Sequence, residues 1–202
     1  TIYLDIDYMD GYRVFTWDNE RFKNPEDMIK KLKEMGFKVV TIIDPGVKVD
    51  KNYKIYKEGL ENKYFATDKN DITYVNEVWP GDAVYPDFLN SNVREWWADN
   101  QKIMMDAGVS GIWNDMNEPA SFRGPLPDDV MFNNDGIPVE HREAHNVYGH
   151  FMAKATYEGI KSSINKRPFI VTRAGYAGTQ KYSTVWTGDN QSTWEHLRMS
   201  VP

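Results

Sequence analysis

The chain has 202 residues, of which 24 are basic and 30 are acidic, so its formal net charge is −6 at pH 7. This length allows one domain with a sizeable core, or a piece of a larger domain. Nucleic acids and anionic membranes bind clustered positive charge, so the acidic balance disfavours both as partners. The chain contains no run of about 18 apolar residues, so no membrane span is predicted. The absence of cysteine excludes disulfides and thiolate metal sites. With no visible signal segment, the chain is expected in the cytoplasm.

Short apolar runs that end close to a charged residue recur along the chain. Their length and β-branched content predict buried strands. Helical patterns lie between several of them, and strands that alternate with helices are typical of a parallel sheet. The predicted strands are Thr1–Leu4 before Asp5, Phe37–Ile43 before Asp44, Val109–Trp113 before Asp115, Pro168–Thr172 before Arg173, and Ser183–Trp186 before Asp189.

Amphipathic helices are predicted between these strands. The first begins at Asn24, a capping residue that is followed by proline at the first helical position, and Gly36 is placed to end it. The others are recognised by apolar residues at helical spacing. The predicted ranges are 25–35, 91–107 and 145–164, with a shorter helix after residue 190.

An open doubly wound sheet and a (β/α)8 barrel both contain such alternation. Open nucleotide-binding sheets usually carry a Gly-rich turn after the first strand, whereas Asp5-Ile6-Asp7 follows it here. Barrels place catalytic polar residues at the C-terminal ends of many strands, where they converge on one axis. We therefore predict a partial (β/α)8 barrel with about five of the eight strands. Residues 1–202 are expected to be the central part of one catalytic domain, truncated at both ends, with an inserted loop at 120–145 after the strand that precedes Asp115.

Asp115 and Asp189 are the candidate catalytic pair. Asp115 lies in the run Gly-Ile-Trp-Asn-Asp-Met-Asn-Glu-Pro, directly after a predicted buried strand. A charge at the edge of a dry core is costly unless function or pairing justifies it. Glycosidic bond cleavage needs two carboxylates, one at the anomeric carbon and one that protonates the leaving oxygen. Capping of a loop or helix is the alternative for each, and it is stronger for Asp189 because the last predicted helix follows it.

Charged residues at the other strand ends are candidates for supporting roles. Arg173 would lower the pKa of nearby carboxylates and keep a nucleophile ionised, or form a structural ion pair. Asp5 and Asp7 alternate at a strand end, so only one of them is expected to face the axis. By the same rule, Ile42 and Asp44 share a face.

Trp79 lies in a long loop that is predicted between Pro45 and Phe88. An aromatic ring in a barrel loop could wall a sugar site or simply pack beneath the loop. No metal site is predicted, because the chain has no EF-hand loop and no HExxH pair, and its four histidines lack the spacing of metal ligands.

Four motifs together resemble glycoside hydrolase family 31, specifically its α-glucosidases. They occur in the family's order, and the similarity covers essentially the whole chain. The motifs are Asp5-Ile6-Asp7-Tyr8-Met9, the run from Trp113 to Pro119, the run from Arg167 to Arg173, and Trp186-Thr187-Gly188-Asp189-Asn190.

This resemblance implies a retaining mechanism in which Asp115 attacks the anomeric carbon and Asp189 acts first as acid and then as base. It implies an α-glucoside oligosaccharide as substrate and no cofactor. Asp5 would be the sugar-facing acid of its pair. The residues expected to line the glucose subsite are Asp5, Ile6, Ile42, Asp44, Trp79, Trp113, Met116, Arg173 and Trp186.

Several alternatives stay open within this resemblance. α-Xylosidases tend to replace the tryptophan and methionine around the nucleophile, whereas this chain keeps Trp113 and Met116. An α-glucan lyase shares the nucleophile and would release anhydrofructose. A binding remnant predicts a lost carboxylate, and both are kept. An isolated barrel piece could also be inactive, because its open sheet edges expose unpaired strands.

The resemblance also indicates what lies outside this chain. Complete family members carry an N-terminal β-sandwich, the whole barrel and C-terminal β domains. The first barrel strand, the last two strands and a sugar-binding histidine from a later strand have no counterpart here. The missing domains of the parent protein are therefore expected as structural partners.

Overall fold

The computed structural model describes residues 1–201 of the chain. Its elements alternate between short strands and longer helices, as the sequence predicts. The strands are β1 (Ile2–Leu4), β2 (Val39–Ile43), β3 (Val47–Lys48), β4 (Val75–Val78), β5 (Gly81–Val84), β6 (Gly111–Asn114), β7 (Met131–Phe132), β8 (Val139–Glu140), β9 (Ile170–Thr172) and β10 (Thr184–Val185). The α-helices are α1 (Pro25–Glu34), α2 (Lys54–Glu61), α3 (Ser91–Asp106), α4 (His141–Ser163) and α5 (Trp194–Met199).

The central sheet has five parallel strands in the order β1-β2-β6-β9-β10. Every residue of β2 is buried, which explains why its sequence is a continuous apolar run rather than an alternating one. The sheet does not close on itself, and β1 and β10 form its edges. The predicted partial (β/α)8 barrel with five strands is therefore confirmed.

Local capping chemistry sets the bounds of the first two long helices. The side chain of Asn24 accepts a hydrogen bond from the backbone N–H of Asp27 at 3.1 Å and starts α1. The side chain of Asn90 accepts from the N–H of Asn92 at 2.9 Å and starts α3. Gly108 follows α3 with a φ of +93°, a left-handed conformation that glycine adopts without strain. The chain then turns directly into β6.

The helix predicted at 145–164 begins four residues earlier, at His141. A capping box starts the helix: the side chain of Glu140 accepts a hydrogen bond from the backbone N–H of Glu143, and the side chain of Glu143 accepts one from the backbone N–H of Glu140. Near its other end, Gly159 lies against the backbone of Ala98, where a Cβ would collide. Helices α3 and α4 can therefore pack closely beneath the sheet.

The segment between Pro45 and Phe88 is not the long loop that the sequence predicts. It contains α2 and a three-stranded antiparallel sheet in the order β3-β5-β4. Strands of two to four residues are too short for periodicity to reveal. The side chains of Val78, Ala83 and Met116 form a small buried cluster, so the β4–β5 hairpin sits on the turn that follows β6.

The segment predicted as an inserted loop, 120–145, contains the antiparallel hairpin β7–β8 and the first turn of α4. Buried Asp87 holds it in place by accepting hydrogen bonds from the backbone N–H groups of Asn133 at 2.6 Å and Asn134 at 3.2 Å. Its status as an insertion stays a prediction. By contrast, the short connection 174–182 contains only a 3-10 helix, Thr179–Lys181, as its length leads one to expect.

Candidate active site

Polar side chains gather at the C-terminal edge of the central sheet. Asp44 follows β2, Asp115 follows β6 and Arg173 follows β9, while Asp189 lies four residues beyond β10. Because neighbouring parallel strands end at the same edge, residues far apart in sequence meet there. The structure brings the three aspartates together near the guanidinium group of Arg173.

Arg173 joins the two candidate catalytic carboxylates. Its Nη1 lies 3.2 Å from Oδ1 of Asp115 and donates a hydrogen bond to Oδ2 of Asp189 at 3.1 Å. The side chain of Asp115 is only 12% exposed, whereas that of Asp189 is 89% exposed. One carboxylate therefore lies at the floor of the site and the other at its open side.

Glu118 is the site residue that the sequence reasoning missed. Its two carboxylate oxygens accept hydrogen bonds from Nε and Nη2 of Arg173 at 2.8 and 2.9 Å, a bidentate pair. Glu118 stands inside the run that contains Asp115, but it follows no strand directly. Two features of the sequence could have identified Glu118: it is an acidic residue close to a candidate nucleophile, and an arginine follows another strand of the same chain.

Burial, not the arginine, dominates the electrostatics of Asp115. Desolvation raises the pKa of its carboxyl group above the ordinary value, while the positive charge of Arg173 acts in the opposite direction and lowers the pKa. The sequence predicted the lowering by Arg173, but the net shift is upward because burial outweighs it. Oδ1 of Asp115 is also buried without a hydrogen bond, since Arg173 is close but not aligned for one.

Asp44 is the most strongly perturbed acid of the site. Burial, followed by the negative charge of Asp115, raises its pKa to about 8, and Arg173 opposes this rise. Its Oδ1 is buried without a hydrogen-bond partner. A carboxyl group held in this way keeps its proton under conditions that would ionise it in water. Its charge state is therefore set by the site rather than by solvent.

This shift predicts how Asp44 affects stability with pH. Because its pKa is raised in the folded protein, folding retains a proton that the unfolded chain releases, so its contribution to stability falls as pH rises from about 4 to about 8. Asp44→Asn should therefore raise the thermal midpoint of the full-length protein more at pH 8.5 than at pH 5. Exposed Asp106→Asn is the control. Equal changes at both pH values would contradict the prediction.

Asp5 and Asp7 diverge for a different reason from the predicted one. Strand β1 ends at Leu4, and residues 6–8 form a 3-10 turn, so strand alternation does not apply. Oδ1 of Asp5 accepts the N–H of Ile6 at 2.7 Å and caps this turn, and the charge of Asp5 adds to the raised pKa of Asp44. Asp7 lies 3.3 Å from Nη1 of Arg21, on the outer surface.

Aromatic and apolar side chains lie at the same edge of the sheet as these charged groups. The rings of Trp113 and Trp186 pack edge to face with centroids 5.8 Å apart. Trp113 is paired in register with Ile42 on the neighbouring strand, so both project from the same face of the sheet. Sδ of Met116 lies 3.2 Å from Nη2 of Arg173, and Ile6 is half-buried beside Asp5.

Trp79 occupies the turn between β4 and β5, rather than a strand end of the central sheet. Its exposed ring packs edge-on against Phe122, with centroids 5.0 Å apart. Its neighbour Val78 contacts Met116 in the small buried cluster. The hairpin therefore places Trp79 beside the turn that carries Asp115, and its role toward substrate stays a prediction.

Buried amides fix the turn after β6 against the end of β9. Nδ2 of Asn117 donates to Oγ1 of Thr172 at 2.8 Å, and its Oδ1 accepts from the N–H of Ala174 at 3.0 Å. Both neighbours of Arg173 are thus tied to the turn. Met116 has a φ of +54°, a left-handed conformation that a side chain of its size rarely adopts. Backbone strain of this kind is concentrated at functional sites.

Residues 1–201 contain neither a candidate metal site nor a candidate membrane-spanning helix. No group of three or more histidine, aspartate or glutamate side chains there is arranged to hold a metal ion. No helix in the same range is long and apolar enough to cross a membrane.

Comparison with known proteins identifies relatives across the whole chain. The model of the glycosyl hydrolases family 31 TIM-barrel domain matches residues 1–202. The chain is 53% identical to Alpha-glucosidase 2 of Bacillus thermoamyloliquefaciens, over 100% of this chain and 26% of that protein. It is 36% identical to an alpha-glucosidase of Saccharolobus solfataricus, over 99% of this chain and 32% of that protein.

Solved structures show the same fold. A DNJ-bound glucosidase II alpha subunit superposes with a TM-score of 0.88 at 38% identity, over 97% of this chain and 22% of that one. A family 31 alpha-glucosidase from Bacteroides thetaiotaomicron gives a TM-score of 0.80 at 42% identity, over 100% of this chain and 32% of that one. The chain thus spans between 22% and 32% of the length of these four proteins.

Proposed function

The chain belongs to glycosyl hydrolase family 31, and on that premise we propose that the full-length protein is a retaining α-glucosidase that releases terminal glucose from α-linked oligosaccharides. Asp115 is the nucleophile and Asp189 the acid and base. The names of the relatives, which include bacterial and archaeal alpha-glucosidases, support the substrate class.

One nitrogen of Arg173 contacts both carboxylates, and the short separation that this implies supports a retaining mechanism. Since Nη1 of Arg173 lies 3.2 Å from Oδ1 of Asp115 and 3.1 Å from Oδ2 of Asp189, these oxygens are at most 6.3 Å apart. Retaining glycosidases hold their carboxyl groups about 5–5.5 Å apart, and inverting ones hold them about 6.5–9.5 Å apart to admit a water. The spacing supports direct attack by Asp115.

The proposed reaction has two steps. Asp115 forms a bond to the anomeric carbon as the glycosidic bond breaks, and Asp189 gives its proton to the departing oxygen. Asp189 then takes a proton from water, whose oxygen attacks the anomeric carbon and releases Asp115. The buried position of Asp115 and the exposed position of Asp189 suit these roles, because only the second group must exchange protons with solvent.

Other residues of the site are assigned to the substrate. Trp113 and Trp186 offer ring faces and edges against the C–H groups of glucose. Arg173 and Asp44 are polar groups that face the same space as Asp115. We assign Asp5, Ile6, Ile42, Trp79 and Met116 to the walls of this subsite.

The order in which glucose anomers appear tests the proposal. The full-length protein is incubated with p-nitrophenyl α-glucoside, and the product is followed by proton NMR before mutarotation. We expect α-glucose first, since two displacements restore the original configuration. A fluorinated α-glucosyl fluoride that traps the intermediate should label the peptide containing Asp115. This label would locate the covalent bond independently of the kinetics.

Products other than α-glucose would identify a different reaction. β-Glucose as the first product would replace the retaining mechanism with an inverting one, and anhydrofructose would identify a lyase. Faster hydrolysis of the α-xyloside would identify an α-xylosidase. No turnover of any α-glycoside by the full-length protein would overturn the proposed function.

A further inference from the structure

We propose that Glu118 is a positioning residue for this reaction: by holding the Nε–Nη2 edge of Arg173, it restricts that arginine to contacts through Nη1 with Asp115 and Asp189. This inference rests on the proposed function, because it concerns how the nucleophile is kept available for attack.

Most hydrogen-bond donors of the Arg173 guanidinium group are already occupied away from the two catalytic carboxylates. An arginine binds a carboxylate most strongly through two parallel N–H groups along one edge. In Arg173 the Nε–Nη2 edge is taken by Glu118, at 2.8 and 2.9 Å. The other N–H of Nη2 faces Sδ of Met116 at 3.2 Å. Only Nη1 is left for the two catalytic carboxylates.

The carboxylate of Asp115 lies close to Arg173 without being fully paired with it. Nη1 approaches its Oδ1 to 3.2 Å, yet the contact is not aligned as a hydrogen bond, and this buried oxygen has no other hydrogen-bond partner. A carboxylate engaged by a bidentate arginine would be a poorer nucleophile, because its lone pairs would already be shared. Glu118 therefore keeps the cation near Asp115 while preventing full pairing between them.

The competition between the two charges predicts opposite pH effects. Burial raises the pKa of Asp115, the charge of Arg173 lowers it, and the charge of Glu118 raises it. The acid limb of the kcat/KM profile reports this ionisation in the free enzyme. In the full-length protein, Glu118→Gln should therefore move the acid limb to lower pH, and Arg173→Gln should move it to higher pH.

The rate of the first chemical step measures positioning directly. Trapping by the fluorinated α-glucosyl fluoride forms the bond from Asp115 to the anomeric carbon and expels fluoride. Glu118→Gln, which preserves the shape of the side chain, should slow trapping about 10- to 100-fold, the loss expected for hydrogen bonds between charged groups. Glu58→Gln is the matched control, since both glutamate side chains are 34% exposed and both pair with a cation.

A double-mutant cycle separates positioning from general stabilisation. In an Arg173→Lys background there is no guanidinium edge to hold, so adding Glu118→Gln should slow trapping less than about threefold further. Equal losses in both backgrounds would show that Glu118 does not act through Arg173. Circular dichroism checks folding, and Glu118→Asp replaces Glu118→Gln in the cycle should the latter not fold.

The outcomes distinguish this inference from the proposed function. If the wild-type protein hydrolyses α-glucosides with retention, and Glu118→Gln keeps the wild-type trapping rate and acid limb, the positioning role is wrong while the function stands. If the wild-type protein forms no covalent adduct at Asp115, the proposed function fails and the role of Glu118 falls with it.

Discussion

Replacing Asp115 with asparagine is expected to lower kcat of the full-length protein on p-nitrophenyl α-glucoside on the order of 10⁴-fold or more. Asparagine has the same shape, so the buried end of β6 and the turn that follows it should persist. The amide nitrogen cannot form the glycosyl ester, and the first step loses its nucleophile. The loss should appear in kcat, with the unfolding midpoint close to that of the wild type.

Rescue by azide tests the chemical role of Asp115, which loss of activity alone does not establish. In Asp115→Ala, azide can occupy the vacated space and attack the anomeric carbon once, so it should restore turnover and give β-glucosyl azide. Asp50→Asn is the matched control, because Asp50 also pairs with an arginine, Arg13, at 2.6 Å. It should keep the wild-type kcat. An Asp115→Asn protein that retains normal turnover would remove Asp115 from the mechanism.

The parts of the site that sequence reasoning predicted share one origin. Asp44, Asp115 and Arg173 directly follow buried apolar strands, and parallel strands deliver such residues to one edge of the sheet. The three inner strands of the sheet, β2, β6 and β9, were visible for the same reason: they are buried or mostly buried and therefore form continuous apolar runs. Where periodicity and burial coincide, the chain predicts both its fold and its site.

Other parts of the site depend on turns and short strands, which hydrophobic periodicity does not predict. The role of Glu118 is set by the turn in which Met116 has a positive φ, and this turn directs the glutamate to Arg173. The hairpin that carries Trp79 is built from strands of four residues, so the sequence predicted a loop there. For Asp5 and Asp7, the predicted divergence rested on strand alternation, whereas a capped 3-10 turn separates the two side chains.

The net pKa shift of Asp115 could not be predicted from the sequence either. The chain places an arginine near the candidate nucleophile, which predicts a lowered pKa for Asp115. In the folded protein, the depth of Asp115 reverses the net direction, because a buried carboxylate loses more solvation than one incompletely aligned cation returns. Glu118 adds to this effect by neutralising the same cation. The ionisation of Asp115 therefore depends on three side chains and on its burial, not on one ion pair.

Replacing Asp189 with alanine is expected to affect substrates according to their leaving group. Maltose has a poor leaving group, a sugar hydroxyl, and needs a proton on its departing oxygen. Its kcat should therefore fall about 10²- to 10⁴-fold, the usual contribution of general acid–base catalysis. α-Glucosyl fluoride needs little protonation, so its first step should stay near the wild-type rate. The second step should slow for every substrate, because water lacks a base, and the intermediate on Asp115 should accumulate as a burst.

Azide again separates the two roles, now with the opposite stereochemistry. In Asp189→Ala, azide should attack the intermediate in place of water without needing a base, and the product of two displacements should be α-glucosyl azide. Asp106→Ala is the control, since Asp106 is also exposed but pairs with Lys102 on α3. Equal losses of kcat/KM, which reports the first step, for maltose and α-glucosyl fluoride, or β-glucosyl azide as product, would rule out Asp189 as the acid and base. The α-azide from this variant and the β-azide from Asp115→Ala together would assign each carboxylate to its step.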